Sequence, residues 1–284
     1  MILTVGQVLE ESVRALLEAG VEEPRLDARL LAAFALRRTP EQIFAHPEAE
    51  LDPDQEKLVR ALIARRVARE PLALITGEKE FWSLRFKVSS ATLIPRPDSE
   101  TLIEAVLDAV SEKESSLRIL DLGTGSGCLL LALLHEFGEA SGIGVDVSEQ
   151  ALRVASVNAE NLALSNRARF IQADWNEAMV LGGSFDLVVC NPPYVPALGI
   201  ESLQPEVTEF EPHSALFAGS EGFAEFPKVI ALLPELLNDG GSAFFEVGIG
   251  QSDAVAMMLR QTGLRTVNVH PDLAGIGRCV SGMI

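Results

Sequence analysis

A chain of 284 residues with a 48% hydrophobic content is long enough for more than one buried core and leans towards two domains. Its 41 acidic against 23 basic residues give a formal net charge of −18, which counts against a nucleic-acid binder, because such proteins need Lys and Arg to neutralise phosphates. Three unclustered cysteines (Cys128, Cys190, Cys279) argue against a disulfide framework, and four scattered histidines without Cys-x-x-Cys or His-Glu-x-x-His spacing leave a metal site without support.

The first residues, Met1 to Gly6, lack a basic region followed by an apolar stretch. No apolar run reaches the ~18 residues that cross a bilayer. A cytoplasmic protein is expected. Val5, Val8, Leu9, Val13, Leu16 and Leu17 recur at helical spacing, and Gly20 follows as a stop. Pro24–Leu36 and Asp54–Val67 repeat the pattern between Pro40, Pro47 and Pro53. Within the last of these, the basic stretch Arg60–Arg69 alternates with Ala, Leu and Val, as a solvated helix face would. Residues 1–76 therefore predict an all-α bundle. A packing module and a partner-docking module both fit it.

The texture changes at Gly77. Phe81 to Val88 alternates after Trp82 as a half-buried strand or hairpin does. Leu93-Ile94-Pro95-Arg96-Pro97 is rigid and extended, so 77–98 forms a hairpin and linker. Asp98 or Ser99 is expected to cap the helix through Leu102, Val106 and Val110. From Leu117 onward strands alternate with helices. Strands are predicted at Arg118–Leu122, Gly142–Asp146, Ala168–Ala173, Phe185–Cys190, Ser242–Val247, Leu264–His270 and Gly277–Met283. Helices are predicted at Leu129–Phe137, Glu149–Leu162 and Asp253–Gln261, and, interrupted by Pro227 and Pro234, across Gly222–Leu237. This alternation predicts an α/β domain over 99–284, with a mostly parallel sheet covered by helices.

Asp121-Leu122-Gly123-Thr124-Gly125-Ser126-Gly127 joins the first strand of that domain to a helix. Alternating glycines let the backbone turn sharply and admit a ligand without Cβ clashes, and the helix start adds partial positive charge. Neither the dinucleotide G-x-G-x-x-G nor the phosphate loop's Gly-Lys-Ser/Thr is present. Asp146 ends the next strand, where an acid accepts from ribose hydroxyls; capping the following helix is its other role. Asp174 and Trp175 follow the third strand, where a carboxylate meets an adenine amino group and an aromatic packs on the ring. Trp175 as plain core is the alternative. All lie at carboxyl ends of strands, where open α/β sheets bind ligands.

Asn191-Pro192-Pro193-Tyr194 follows Phe185–Cys190. Two prolines fix φ and remove two backbone donors, which leaves carbonyls and the Asn191 side-chain oxygen as acceptors. That array suits a planar nitrogen bearing two hydrogens, an amide or an exocyclic amine. Gripping its N–H groups returns electron density to nitrogen and holds it against a methyl donor. Tyr194, the single tyrosine, offers a flat apolar face. A proline turn after a buried strand is the alternative for the tetrapeptide.

With these motifs in this order, the sequence resembles the class I methyltransferases that carry Asn-Pro-Pro-Tyr. More narrowly, it resembles the HemK/PrmC family of peptide chain release factor N5-glutamine methyltransferases. The likeness extends over Pro71–Gly77, Leu93–Pro97, Asp121–Gly127, Asn191–Tyr194, Glu211-Pro212, Ala215-Leu216, Phe245–Gly248 and Gly277-Arg278. It implies an N-terminal helical substrate-docking domain, a hairpin linker and a Rossmann-like catalytic domain with a seven-stranded sheet.

The resemblance also implies S-adenosylmethionine as cofactor, with S-adenosylhomocysteine as product. The substrate it implies is the glutamine of a Gly-Gly-Gln loop in class I release factors, taken by a monomer that contacts neither nucleic acid nor membrane. Carried over, Gly123, Thr124, Gly125, Ser126, Gly127, Asp146, Asp174, Trp175 and Asn191 bind the cofactor, and Asn191, Pro192, Pro193 and Tyr194 bind the glutamine and carry the chemistry. The sequence departs from the family pattern at Leu74, Asp98-Ser99 and Phe223–Phe226; none of these is expected to touch the chemistry.

Two neighbouring classes remain: enzymes that methylate a glutamine of a ribosomal protein, and DNA enzymes that methylate adenine at N6. Leu93–Pro97 favours the release-factor class over the first. The acidic balance disfavours the second, which flips a base into its pocket and needs a basic groove.

Overall fold

Each of the longer N-terminal helices begins where its sequence supplies a start signal. The computed structural model describes residues 3–112, 114, 116–177, 181 and 184–284. Helix α1 (Val5–Glu18) opens on a reciprocal cap between Thr4 and Gln7, and Gly20 follows it with φ of 74°. Helices α2 (Pro24–Leu36), α3 (Pro40–Ala45) and α4 (Pro53–Val67) each carry proline in the first turn, where no amide donor is needed. Thr39 and Asp52 cap the last two by the same reciprocal device. With α5 (Leu72–Thr76) these helices close over Val5, Val8, Leu16, Leu31 and Val59.

Strands β1 (Glu78–Phe81) and β2 (Leu84–Lys87) form a two-stranded hairpin through Trp82 and Ser83, both at positive φ. Then come α6 (Glu100–Ala109), β3 (Arg118–Leu122), α7 (Cys128–Glu136), β4 (Ser141–Asp146), α8 (Glu149–Asn161), β5 (Ala168–Gln172) and β6 (Phe185–Cys190). They are followed by α9 (Pro205–Phe210), α10 (Phe226–Leu236), β7 (Leu237–Glu246), α11 (Ser252–Gln261), β8 (Arg265–Pro271) and β9 (Gly277–Met283).

The seven strands β3 to β9 form one sheet of order β5-β4-β3-β6-β7-β9-β8. The first five strands of that order pair in parallel, whereas β9 runs antiparallel to both β7 and β8. β6 shows why a continuous apolar run is buried on both faces. Leu187 and Val189 join the core under α6 and α7, while Val188 and Cys190 join the opposite core under α10 and α11. Strand order reverses at the β3–β6 pair, the switch point where such sheets hold ligands.

By compactness the chain divides into two units, Met1–Glu78 with Gln204–Phe210, and Lys79–Leu203 with Glu211–Ile284. The segment around α9 thus belongs to the helical unit. The reason is electrostatic, and it corrects the expectation that Arg60–Arg69 is a solvated face. Arg66 is only 7% exposed and pairs with Asp27 at 2.7 Å and Glu206 at 2.9 Å. Arg69 also binds Glu206, at 2.8 Å, and Gln204 at 2.8 Å. Arg60 and Arg65 do face outward, paired with Glu11, Glu56 and Glu70.

Two further expectations change. Pro234 does not interrupt α10: the helix continues from Phe226 to Leu236 with Pro234 inside it and Pro227 in its first turn, where no amide donor is needed. Ser99 caps nothing: residues Pro97–Ser99 form a 3-10 turn that runs straight into α6, and no side-chain cap bond is made.

Candidate active site

The glycine loop is held open from beneath. Gly123 and Thr124 both donate their N–H to the Val145 carbonyl at 2.9 Å. The Thr124 hydroxyl donates to Asp121 at 2.6 Å, deep in the sheet. Burial pushes the Asp121 carboxyl up to about 7, against the pull of that hydroxyl, and its Oδ1 has no partner among the described residues. Fully buried Asn158 ties the loop to the hairpin. Its amide donates to Ser126 O at 2.8 Å and Lys87 O at 3.0 Å, and its oxygen accepts from Lys87 N at 2.7 Å.

Asp146 ends β4 with one oxygen accepting from Gly125 N and the other from Ser148 N, both at 2.9 Å. The cap of α8 falls to Ser148 itself, through Ala151 N at 3.2 Å. Asp146 is thereby aimed at the loop, with a second lone pair left on each oxygen. The Trp175 indole lies so close to Gly123 that a Cβ there would meet its Cζ3 at 3.3 Å, which makes glycine necessary at the contact. Glu225 orients that indole, accepting from Nε1 at 2.9 Å, and binds Lys228 at 2.8 Å with its other oxygen. Asp174 turns one oxygen towards Asn176, accepting from its backbone N at 2.8 Å and its side-chain amide at 2.6 Å.

The segment after β6 is clamped at its far end. Gln251 donates to Tyr194 O at 3.1 Å and Gly222 O at 3.3 Å while accepting from Gly248 N at 2.9 Å. Gly222, at φ of 78°, passes so near that a Cβ would stand 2.2 Å from Tyr194 O. The Tyr194 hydroxyl donates to Glu246 at 3.0 Å. Burial and the neighbouring carboxylate hold this phenol above its ordinary range.

These pieces enclose one cavity of about 290 Å³. Of the residues singled out in the sequence, Gly123, Thr124, Gly125, Ser126, Asp146, Asp174, Trp175, Asn191 and Pro193 line it. Gly127, Pro192 and Tyr194 do not. Gly127 packs under α7 against Ala155 and Leu131, Pro192 is buried, and the Tyr194 ring packs on the core of Val188 and Phe245. Arg96, Ser99, Cys128 and Glu225 also line the cavity without having been anticipated as site residues. Ser99 and Glu225 fall in segments where the sequence departs from the family pattern, so those departures do reach the site. Arg96 is paired with the buried Glu211. Burial pushes the Cys128 thiol up to about 12, which keeps it protonated and unreactive at neutral pH. Cys190 and Cys279 are buried and free. Among the described residues no cluster of metal-ligating side chains occurs, and no helix is long and apolar enough to cross a membrane.

The PrmC N-terminal domain family matches residues 7–77, and a methyltransferase domain family matches residues 113–247. Among known proteins, the chain is 43% identical to the release factor glutamine methyltransferase of Rhodospirillum rubrum, over 98% of this chain and 84% of that one. It is 38% identical to the protein of the same name from Caulobacter vibrioides, over 100% and 97%. Among solved structures, a methyltransferase from Pyrococcus furiosus shares the fold, with a TM-score of 0.51 at 16% identity over 79% of this chain and 96% of that one. Near-full-length likeness at this identity, on a sheet whose switch point carries the motifs expected there, places the chain in the release factor glutamine methyltransferase family.

Proposed function

We propose that this protein transfers a methyl group from S-adenosylmethionine to the side-chain amide nitrogen of a glutamine, that of the Gly-Gly-Gln loop in class I release factors. One observation carries the reading: the glycine loop, Asp146 and Trp175 share a single cavity with Asn191 and Pro193.

The residues present fit such a cofactor. The Trp175 indole lines the cavity and offers a flat apolar surface there, as a stacked purine needs. Asp146 keeps lone pairs for ribose hydroxyls, and the buried Ser126 hydroxyl at the wall has no partner among the described residues. Asp146, Asp174 and Glu225 line the cavity against one arginine, itself paired, so the wall favours a cation. When bound, S-adenosylmethionine supplies an electrophilic methyl group on its sulfonium.

The chain's own part is to hold and polarise the nucleophile. An amide nitrogen is weakly nucleophilic because its lone pair is delocalised into the carbonyl. Acceptors that take its two N–H groups oppose that delocalisation and fix the lone-pair axis. Asn191, with the donor-free backbone of Pro192 and Pro193, supplies them.

The helical region, residues 1–76, serves in this reading as the docking module, with 77–98 as linker and 99–284 as catalytic domain. Exposed Leu17, Phe34 and Phe44 on that region support a protein partner. The acidic balance supports action on protein rather than nucleic acid, and the reading takes the protein as a cytoplasmic monomer. The test is to incubate the protein with isotopically labelled cofactor and a class I release factor, then locate the label by peptide mass spectrometry. One methyl group on the Gly-Gly-Gln glutamine is expected. Label confined to another residue type, or none, would overturn the reading.

A further inference from the structure

Three large apolar side chains stand in solvent on loops at one end of the sheet: Leu198, 87% exposed, Ile249, 70% exposed, and Leu273, fully exposed. Ile249 follows the carboxyl end of β7. Leu273 lies in the turn from β8 to β9. That turn meets the same end, because β9 runs antiparallel to β7, with Glu246 opposite Cys279 and Val247 N donating to Arg278 O at 2.9 Å. Leu198 lies in a 3-10 stretch, Ala197–Ser202, beyond the turn after β6. Since β6 and β7 are parallel, this is the carboxyl edge of the sheet, where Asn191 and Pro193 line the cavity.

Named contacts join these loops to one another and to the cavity wall. A Cβ on Gly248 would meet the Tyr194 ring at 3.1 Å, so Ile249 follows directly on a contact with the 191–194 turn. A Cβ on Gly277 would stand 3.0 Å from Ser252 Oγ, which sets the Leu273 turn beside the loop of Ile249. Ala197 N donates to Gly219 O at 2.8 Å, in the loop whose Gly222 abuts Tyr194 O. Arg278 pairs with Asp98 at 2.7 Å, two residues past the cavity-lining Arg96.

A single exposed leucine is ordinary on any surface. Leu273 differs in what holds it. Asp272 Oδ1 accepts from Ala274 N and Ile276 N, both at 2.9 Å, and its Oδ2 accepts from Arg278 Nε at 3.1 Å. Asp272 N donates to Ile276 O at 2.8 Å, and Gly275 N, at φ of 80°, to Asp272 O at 2.9 Å. These bonds fix the turn while leaving the leucine bare, and a preorganised support of this kind lowers the entropy lost on association. The charge of the edge has one sign. Segments 195–200, 218–225, 248–253 and 271–277 contain Glu221, Glu225, Asp253 and Asp272 but no Lys or Arg. The residue that follows, Arg278, is held between Asp98 and Asp272.

We propose that this edge is the docking surface for the polypeptide on either side of the methylated glutamine, with apolar side chains of that polypeptide seated on Leu198, Ile249 and Leu273 and cationic ones facing the carboxylates. This rests on the glutamine reading above. A glutamine that reaches into the cavity brings its own backbone to the mouth, so the residues flanking it cross this edge.

The experiment is titration calorimetry of a class I release factor into the protein saturated with S-adenosylhomocysteine, for the parent, L198S, L273S and M283S, with steady-state methylation alongside. Met283, 41% exposed, is the control: it lies at the other end of β9, about 20 Å from Gly277 by strand rise. L198S and L273S should each weaken release-factor binding about tenfold, the effect of one such side chain left without its apolar partner. M283S should stay within about twofold of the parent. At saturating release factor kcat should hold within about twofold in every variant, because the edge touches the flanking chain and not the reacting nitrogen. Parent-like affinity in both L198S and L273S overturns the proposal, as does an equal loss in M283S. It is also overturned if the parent sediments as a dimer that L273S turns into a monomer, since the edge would then join two copies of this chain. A parent that binds the release factor and leaves its glutamine unmethylated overturns the functional reading alone.

Discussion

Two side chains set what the site can do at the scale of single residues. Asn191 lines the cavity, and in the proposed reading it is the acceptor there. Asn191→Ala should lower methyl transfer on the order of 100-fold while cofactor affinity changes little, because the loss falls on the group held only for reaction. Isothermal titration of the cofactor beside steady-state kinetics separates the two, and parent-like turnover in the variant would refute the role. Asp121 works from below, and its burial gives a pH signature. The unfolded chain titrates this carboxyl near 3.9, whereas the folded protein holds the proton up to about 7. Across that window the folded state binds more protons than the unfolded state. The contribution of Asp121 is therefore fully present below about pH 4 and lost as pH rises through 7, with a slope of at most about 1.4 kcal/mol per pH unit. Asp121→Asn should flatten that decline in urea unfolding between pH 4 and 7. An unchanged slope would contradict it.

Among the elements, the turn after β6 depends on a neighbour far along the chain. Gly222 passes against Tyr194 O where no Cβ fits, and Gln251 stitches both carbonyls together. Gly222→Ala should displace the turn, cost about 2 kcal/mol or more in stability, and reduce turnover further than cofactor affinity. Thermal unfolding with single-turnover kinetics checks both, and a parent-like variant would show that the approach is slack.

The strands are legible in the sequence. Phe185–Cys190 is apolar throughout because both of its faces are covered, and Asp146 and Trp175 stand where strands end. What periodicity could not reveal were residues whose partners are distant in sequence. Asp98 or Ser99 was expected to cap α6, but Pro97 starts the turn earlier and leaves the Ser99 hydroxyl beside Asn191, 3.5 Å from its Nδ2. Glu225 carried no sequence signal of its own, because its role comes from accepting the Trp175 indole N–H 50 residues back along the chain. Arg66 lay in a stretch that alternates like a solvated face, and only Asp27 and Glu206 explain its burial.

For the molecule as a whole, the same arginine explains why the segment around α9 belongs to the helical unit. Arg66→Ala would strand buried Asp27 without its cation and leave Glu206 to Arg69 alone, and should destabilise that unit by about 3–5 kcal/mol. A lowered unfolding midpoint reported from helices α1 to α5 by hydrogen exchange is expected, with the sheet's protection retained. Equal loss in both units would contradict it.

The central claim is that a donor-free turn and an oriented Asn191 hold a planar amide nitrogen in the cavity beside the methyl donor. A crystal structure with S-adenosylhomocysteine and a glutamine-bearing release-factor peptide measures this directly. The account predicts the glutamine nitrogen within hydrogen-bonding distance of Asn191 Oδ1 and of a carbonyl in the 191–193 segment, with the cofactor against Trp175 and Asp146. A glutamine seated elsewhere, or residues 191–194 turned away from the sulfur with the peptide bound, would contradict it.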